Sequence, residues 1–310
     1  LISYSGENDK QIQAAQVMEK ELKLHGMSLN HLIGPKMGHK YAEGYLDKVL
    51  AAVSKSFKNK NGQHRLKVNL QTKTLRYPSM HWLKIEGLDE HWLSSQVDAE
   101  VTTPMSMKIK TSNISAISLD LPWADKKAYP PGFEITIDGQ PIKLSKSHEQ
   151  IRLQKKADWQ IIDQLPTELR KRPFLQGPID DAFMAPFLVI TPSHKSLHKA
   201  IDEWTSFEIA HLKKRWQELF RGNIRLKKDT EVTVDDIKNY NLILWGTPES
   251  NSFIKRIIDK TPIKWSKNTL QLNDKKYPVA NHLPAFIYPN PENPNKYIVI
   301  NSGPTFRENH

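Results

Sequence analysis

The chain has 310 residues, of which 38% are hydrophobic; this is enough for two or three domains with cores and excludes a wholly disordered protein. The absence of cysteine excludes a disulfide framework and thiolate chemistry, but it is compatible with the cytoplasm, the periplasm and the exterior, so the compartment stays open. The net charge is +11, yet the basic residues lie in short scattered groups, and no apolar run is long enough to span a membrane. We therefore expect a solvated basic surface, no specific nucleic-acid partner and no membrane span.

Residues 1–57 alternate between strand and helix patterns. The apolar opening predicts a strand that runs into a loop over 6–9. Apolar residues at helical spacing predict a first helix, which Gly26 ends; they are Ile12, Ala15, Met18, Leu22 and Leu24. A second strand over 29–33 is followed by a second helix over 41–57, whose apolar face is Tyr45, Leu46, Val49, Leu50 and Val53. The polar stretch 58–63 predicts a domain boundary.

Asp9 and His39 are the candidate catalytic residues of the chain. Each lies in a loop that follows one of the two predicted strands, so a parallel sheet would bring both side chains to one edge. A hydroxyl nucleophile needs a base within hydrogen-bond reach, and histidine suits this because its unperturbed pKa lies near neutral. A carboxylate on the other ring nitrogen holds the tautomer and stabilises the imidazolium. Glu7 is the alternative acid, and Asp9 is preferred because it lies nearer the start of the helix.

The two loops carry a family resemblance. The stretches Tyr4-Ser5-Gly6-Glu7-Asn8-Asp9 and Gly34-Pro35-Lys36-Met37-Gly38-His39-Lys40-Tyr41 resemble the prolyl oligopeptidase family of serine peptidases, which have the α/β-hydrolase fold. The resemblance covers roughly residues 1–55. It implies that Asp9 is the triad acid, that His39 is the triad histidine, and that the substrate is a peptide or an ester.

The chain departs from that family in two ways. The nucleophile precedes the acid in α/β-hydrolases, and none of the 13 glycines begins a G-x-S-x-G elbow here. A long segment also follows the histidine. It contains the stretches Gly177-Pro178-Ile179-Asp180-Asp181-Ala182-Phe183 and Asn241-Leu242-Ile243-Leu244-Trp245-Gly246, and it resembles the C-terminal extension of some large bacterial hydrolases of this family. The resemblance therefore implies a C-terminal portion of a hydrolase, whose missing N-terminal part supplies the nucleophile, and a chain that is inactive by itself.

Residues 64–162 change to the period of two that is typical of strands with one buried face. Alternating runs recur about every ten residues, and Asp138-Gly139 predicts a tight hairpin turn. These patterns predict an antiparallel β-sandwich-like domain. The predicted strands lie at 66–70, 82–85, 105–109, 114–121, 134–140, 151–153 and 159–162.

Residues 174–310 return to buried strands joined by helices, which predicts a smaller, mainly parallel α/β domain covered on both faces. Strands are predicted at 187–191, 241–246, 285–288 and 297–300, with a long helix over 196–221 and another helix over 250–260. Trp204 and Trp216 on the long helix are predicted to be core residues. The ligand-accepting edge is predicted near the turn 246–251, where helix amides would face outward; the alternative is capping by Thr247 or Ser250.

Other polar residues give weaker patterns. His194 and His198 have the spacing of two ligands on one helix face, but no third ligand is evident, so we interpret them as ordinary helix residues. Asp180 and Asp181 precede a buried strand and are interpreted as a solvated turn or a cap. No metal and no cofactor are predicted.

The predicted fold class is α/β: a C-terminal piece of an α/β-hydrolase sheet (1–57), then a β-sandwich-like domain (64–162), then an α/β accessory domain (174–310). The predicted function is that of a C-terminal fragment of a serine hydrolase. The alternative is a non-catalytic binding or accessory module for a protein or carbohydrate partner.

Overall fold

The computed structural model describes residues 1–58, 65–123 and 127–305. The protein has mixed α and β structure, and the strands within these ranges lie in several separate sheets. The predicted boundary at 58–63 lies almost entirely outside the described residues, as do the last five residues of the predicted third domain. In the described part of the chain, no helix combines the length and the apolar character needed to cross a membrane.

The first sheet has the predicted alternation of strand and helix. Its elements are β1 (Ile2–Gly6), α1 (Ile12–Leu24), β2 (Asn30–Gly34) and α2 (Tyr45–Lys58). Strands β1 and β2 pair in parallel, with Gly6 opposite Gly34, so both strands end at the same edge. The first helix ends before Gly26, whose φ of +69° is a conformation that residues with a Cβ rarely adopt.

The apolar faces predicted for the two helices are only partly buried. Ala15 is buried, but Met18 and Leu24 on α1 are exposed, as are Leu46, Leu50 and Val53 on α2. Both helices pack on β1. The spacing thus gave the helices, but these side chains stay exposed because a sheet of two strands offers too little area to cover both helices.

Residues 67–161 form two five-stranded sheets, in the orders β10-β9-β7-β6-β3 and β12-β11-β8-β5-β4. The strands are β3 (Lys67–Thr72), β4 (Ser79–Met80), β5 (Leu83–Leu88), β6 (Ser95–Thr103), β7 (Ser106–Ser112), β8 (Ile114–Leu119), β9 (Glu134–Ile137), β10 (Gln140–Lys143), β11 (Ile151–Lys155) and β12 (Trp159–Ile161). Buried side chains from both sheets form one core, as alternation with one buried face predicts.

One strand pair departs from the predicted antiparallel arrangement. Strands β7 and β9 pair in parallel, because the intervening β8 belongs to the other sheet and the chain re-enters the first sheet in its original direction. The predicted Asp-Gly turn is confirmed: Asp138 and Gly139 both have positive φ and join β9 to β10 as an antiparallel hairpin.

A third five-stranded sheet has the order β14-β13-β15-β20-β19, with β19 antiparallel to β20 and the other pairs parallel. Its strands and helices are β13 (Phe187–Thr191), α3 (Lys199–Phe220), β14 (Leu226–Lys228), α4 (Val234–Asn239), β15 (Asn241–Leu244), α5 (Ser252–Ile257), β19 (Phe286–Asn290) and β20 (Asn293–Ile300). A small antiparallel sheet, which the sequence analysis missed, comprises β16 (Ile263–Trp265), β17 (Thr269–Leu272) and β18 (Lys275–Pro278).

The sheet with the order β14-β13-β15-β20-β19 is called the third sheet, because it is the third with five strands, and it is covered on both faces. Alternate residues of β15 enter different cores: Leu242 and Leu244 belong to one cluster and Ile243 to another. The parallel pairing of β13 with β15 and the burial of both faces confirm what the continuous apolar runs predicted. The prediction that Trp204 is a core residue was wrong, since 38% of it is exposed. Ile201, Thr205 and Leu212 form the buried face of α3 instead.

Candidate active site

The candidate site lies at the shared carboxyl edge of β1 and β2. The loop after β1 carries Asp9 and the loop after β2 carries His39, and the two loops contact each other closely. A Cβ atom on Gly6 would lie 2.1 Å from the carbonyl oxygen of Gly38 and 2.4 Å from that of Met37. Glycine at position 6 therefore allows the two loops to approach.

Backbone and side-chain hydrogen bonds hold the two loops together. The amide of Glu7 donates to the carbonyl of Gly34 at 2.9 Å, and the amide of Asn8 donates to that of Met37 at 2.8 Å. Oε2 of Glu7 accepts the amide N–H of Lys36 at 2.6 Å. The carboxylate of Glu7, the alternative acid, therefore holds the second loop by its hydrogen bond to the Lys36 amide. It is not the carboxylate bonded to His39.

Asp9 and His39 form a direct hydrogen bond. Oδ2 of Asp9 lies 2.8 Å from Nδ1 of His39, and the exposed fractions of the two side chains are 12% for Asp9 and 78% for His39. The pKa of Asp9 is lowered, chiefly because the backbone N–H of Gln11 donates to its carboxylate and secondly because His39 does. Asp9 is therefore an ionised acceptor at neutral pH.

This geometry decides how the imidazole can act. A carboxylate on Nδ1 favours the tautomer with its proton on that nitrogen, which leaves the lone pair on Nε2. Because the ring is largely exposed, Nε2 is open to a hydroxyl group brought against it. The pair can supply the base and the acid that orients it and stabilises the imidazolium, which are two of the three members of a triad.

Tyr4 is a positioning residue that the sequence analysis missed. Its hydroxyl donates to the carbonyl of Lys40 at 3.0 Å and accepts the amide N–H of Ala42 at 2.8 Å. Its ring also packs against Tyr41, with centroids 4.5 Å apart. Tyr4 therefore holds the segment directly after His39. The only signal in the sequence is a tyrosine in the first strand, which is compatible with many other contacts.

A serine–histidine contact also lies in this sheet. Oγ of Ser5 is 3.0 Å from Nε2 of His31, and Nδ1 of His31 is 4.0 Å from Oε2 of Glu19, which is too long for a hydrogen bond. Ser5 lies within β1 and is only 7% exposed. A nucleophile elbow instead exposes its serine on a sharp turn, so this contact is that of a packed polar pair.

The predicted ligand edge at 246–251 is filled by the protein itself. Asn251 caps α5 by accepting the amides of Phe253 and Ile254, and the amide of Ser252 donates to Asp229 at 2.6 Å. The turn residues Thr247, Ser250 and Asn251 are nearly inaccessible, and Glu249 is half-buried. The prediction of outward-facing amides was therefore wrong, and the cap is Asn251 rather than Thr247 or Ser250.

The interpretation of His194 and His198 as ordinary helix residues was wrong, because both precede the helix. Helix α3 begins at Lys199, so His198 precedes it, and Nδ1 of His194 contacts the hydroxyl of Ser193 at 2.8 Å. Among the described residues, no group of three or more histidine and acidic side chains has the geometry to hold a metal ion.

The acidic pair before β13 is structural. Asp180 accepts the amide of Thr305 at 2.7 Å. Asp181 is buried and accepts the hydroxyl of Tyr297, a residue of β20, at 2.7 Å. It also lies 3.6 Å from the guanidinium of Arg76, so it connects residues 67–161 with the sheet that contains β20. The prediction of a solvated turn was wrong for Asp181. Burial raises its pKa, and the Tyr297 hydrogen bond opposes that effect.

Comparisons with protein-family models, with curated proteins and with solved structures found no match to this chain.

Proposed function

We propose that this chain contributes the acid and the histidine of a serine-hydrolase triad, in a protein that resembles prolyl oligopeptidases and cleaves a peptide or an ester. The observation that carries the proposal is the 2.8 Å hydrogen bond between Asp9 and His39 at the carboxyl edge of two parallel strands. His39 would take the proton of the serine hydroxyl and return it to the leaving group. Asp9 would hold the imidazole and stabilise its charged form.

We propose that the nucleophile lies on further strands of the same sheet, in the missing N-terminal part of the hydrolase. Parallel sheets occur almost only in α/β proteins in which both faces of the sheet are covered. Here the parallel sheet has two strands and its helices expose Met18, Leu46 and Leu50. Additional strands beside β1, with their own helices, would cover these side chains and place a serine against Nε2 of His39.

The same proposal gives the chain its finer architecture. Residues 1–57 would be the C-terminal piece of an α/β-hydrolase sheet, 64–162 a β-sandwich-like domain and 174–310 an α/β accessory domain. The support is that the strands of each range pair among themselves in the described part of the chain.

Labelling of the isolated chain with a fluorophosphonate probe tests where the nucleophile lies. No serine should be labelled, because a triad without its serine has nothing to acylate. Ser5 is the informative position, since its hydroxyl already contacts His31. Stoichiometric labelling that is lost in Ser5→Ala, or any labelling that depends on His39, would show that the chain carries its own nucleophile.

The role of His39 is tested in the longer protein that contains the nucleophile. His39→Ala should lower kcat by about three orders of magnitude or more without unfolding the protein, as expected for a triad base. His25→Ala is the matched control, because His25 is an exposed histidine at the end of α1 and should leave turnover unchanged. Near-normal turnover of His39→Ala would remove the residue from the mechanism.

A binding module is the second candidate function. A groove between α3 and the carboxyl ends of β15 and β20 favours it. The two functions are compatible within one protein, since they rest on different sheets.

A further inference from the structure

A groove lies between α3 and the carboxyl ends of β15 and β20. Its cavity volume is about 290 Å³, and it is lined by one face of α3, by Trp245 and by residues 301–305. In open sheets with parallel strands, ligands bind at the carboxyl ends of the strands. The volume is close to the lower limit of about 300 Å³ for small-molecule pockets. This place is distinct from the turn 246–251, whose amides are already paired.

Aromatic side chains form much of the apolar lining of the groove. Trp204 is 38% exposed and contacts the buried Trp245, with ring centroids 5.8 Å apart. Phe220 is 51% exposed and contacts Trp216, with centroids 4.3 Å apart. On α3, the distance from Trp204 to Phe220 corresponds to about 24 Å of helix. The groove therefore runs along about 24 Å of α3, with an exposed aromatic ring near each end.

Polar side chains lie between these rings on the same face of the helix. They are Glu208, His211 and Arg215, all of which line the groove. The formal charges of Glu208 and Arg215 offset each other, and Arg215 also lies 3.4 Å from the exposed Glu218. The indole Nε1 of the buried Trp245 has no hydrogen-bond partner among the described residues. The groove thus offers aromatic faces beside hydrogen-bonding groups, without a net charge that would select an ion.

We propose that this groove binds a neutral oligosaccharide. A sugar ring has an apolar face of C–H groups that can cover an exposed indole, and an edge of hydroxyl groups that can donate to Glu208 and accept from Arg215. Charged hydrogen bonds of this kind are among the stronger ones. A chain of rings matches the length of the groove better than a single ring does.

Other ligand classes fit the groove less well. A peptide that adds a strand needs a free sheet edge, but β15 and β20 are each paired on both sides. An anion would meet Glu208 as well as Arg215. A purely apolar ligand would remove Glu208, His211 and Arg215 from water without replacing their hydrogen bonds, which is costly.

Titration of the whole chain with neutral tetrasaccharides tests the proposal. The probes are cellotetraose, xylotetraose, mannotetraose and chitotetraose, with tetra-alanine and benzoate as peptide and anionic controls. Binding is followed by isothermal calorimetry and tryptophan fluorescence. At least one tetrasaccharide should bind, with a blue shift of emission as indole surface is covered, and the two controls should not.

Three variants make the test specific to the groove. Trp204→Ala should weaken binding of that tetrasaccharide by about tenfold or more, and Glu208→Gln, which keeps the side-chain shape, by about threefold or more. Trp92→Ala is the matched control, because Trp92 is a similarly exposed tryptophan (45%) that lies between β5 and β6, outside the groove. This variant should leave the affinity unchanged.

The proposal is overturned if none of the tetrasaccharides binds at about 10 mM, a concentration that detects even weak complexes. It is equally overturned if tetra-alanine or benzoate binds in their place, or if Trp204→Ala and Glu208→Gln bind as tightly as the unaltered chain. The result is independent of the proposed hydrolase, because His39→Ala should bind the tetrasaccharide normally.

Discussion

Gly6→Ala is the most direct test of how the two loops of the candidate site are held. The added methyl group would lie 2.1 Å from the carbonyl oxygen of Gly38, whereas real Cβ contacts essentially never fall below 3.0 Å. The loop must therefore retreat by about 1 Å, the difference between these two distances. The methyl group would also lie 2.4 Å from the carbonyl oxygen of Met37. Because both carbonyl oxygens belong to the backbone, no side-chain rotation relieves the contact. His39 directly follows Gly38, so its hydrogen bond to Asp9 should be lost or lengthened.

The expected cost follows from the energetics of overpacking. Adding a methyl group to a well-packed place costs about 1–3 kcal/mol, which corresponds to about five-fold to 150-fold in a local opening equilibrium. Hydrogen exchange of the Glu7 and Asn8 amides reports that opening, because they bond to the carbonyls of Gly34 and Met37. Both amides should exchange faster by a factor in this range.

Gly38→Ala is the matched control for that experiment. No heavy atom lies within 4 Å of the Cβ that it would add, and the φ angle of Gly38 is not in the left-handed region. Exchange at Glu7 and Asn8 should then stay within about twofold of the unaltered chain. The reasoning fails if Gly6→Ala also leaves both amides protected, or if Gly38→Ala exposes them equally.

Two further changes test individual side chains. His39→Ala should raise the pKa of Asp9 yet leave it below its ordinary value, because the hydrogen bond from the Gln11 amide is the largest cause of the lowering. An NMR titration of the carboxyl group measures this pKa. A value at or above the ordinary one refutes the prediction. Since the pKa of Asp9 is lowered in the folded protein, its contribution to stability is present at pH values above the ordinary pKa of 3.8. That contribution is lost as the pH falls through the lowered pKa. The Gln11 amide should therefore lose its protection from hydrogen exchange only in acid. Tyr297→Phe should destabilise the protein by about 1–3 kcal/mol in denaturant unfolding, because the buried Gly177 amide loses its acceptor and the buried Asp181 carboxylate keeps Arg76 but loses a hydrogen-bond donor. Tyr288 is half-buried, so Tyr288→Phe should change the stability little, and equal effects of the two changes would refute the assignment.

Much of the fold follows from local sequence patterns. The order of β1, α1, β2 and α2, the Asp138–Gly139 turn and the two buried faces of the third sheet were all predicted. Each depends on periodicity or on a backbone conformation that particular residues favour, and these act over a few neighbouring positions. The sequence also placed Asp9 and His39 in loops after successive strands, so their proximity followed once the strands paired in parallel.

Contacts between distant positions were decided only by the tertiary structure. The sequence preferred Asp9 to Glu7 only by its place near the helix start, whereas the choice depends on which carboxylate reaches His39 and which reaches the Lys36 amide. The parallel pairing of β7 with β9 depends on the sheet to which the intervening strand belongs. Periodicity gives the apolar face of a helix but not the area available to cover it, which is why Trp204 is partly exposed in a groove rather than buried in a core.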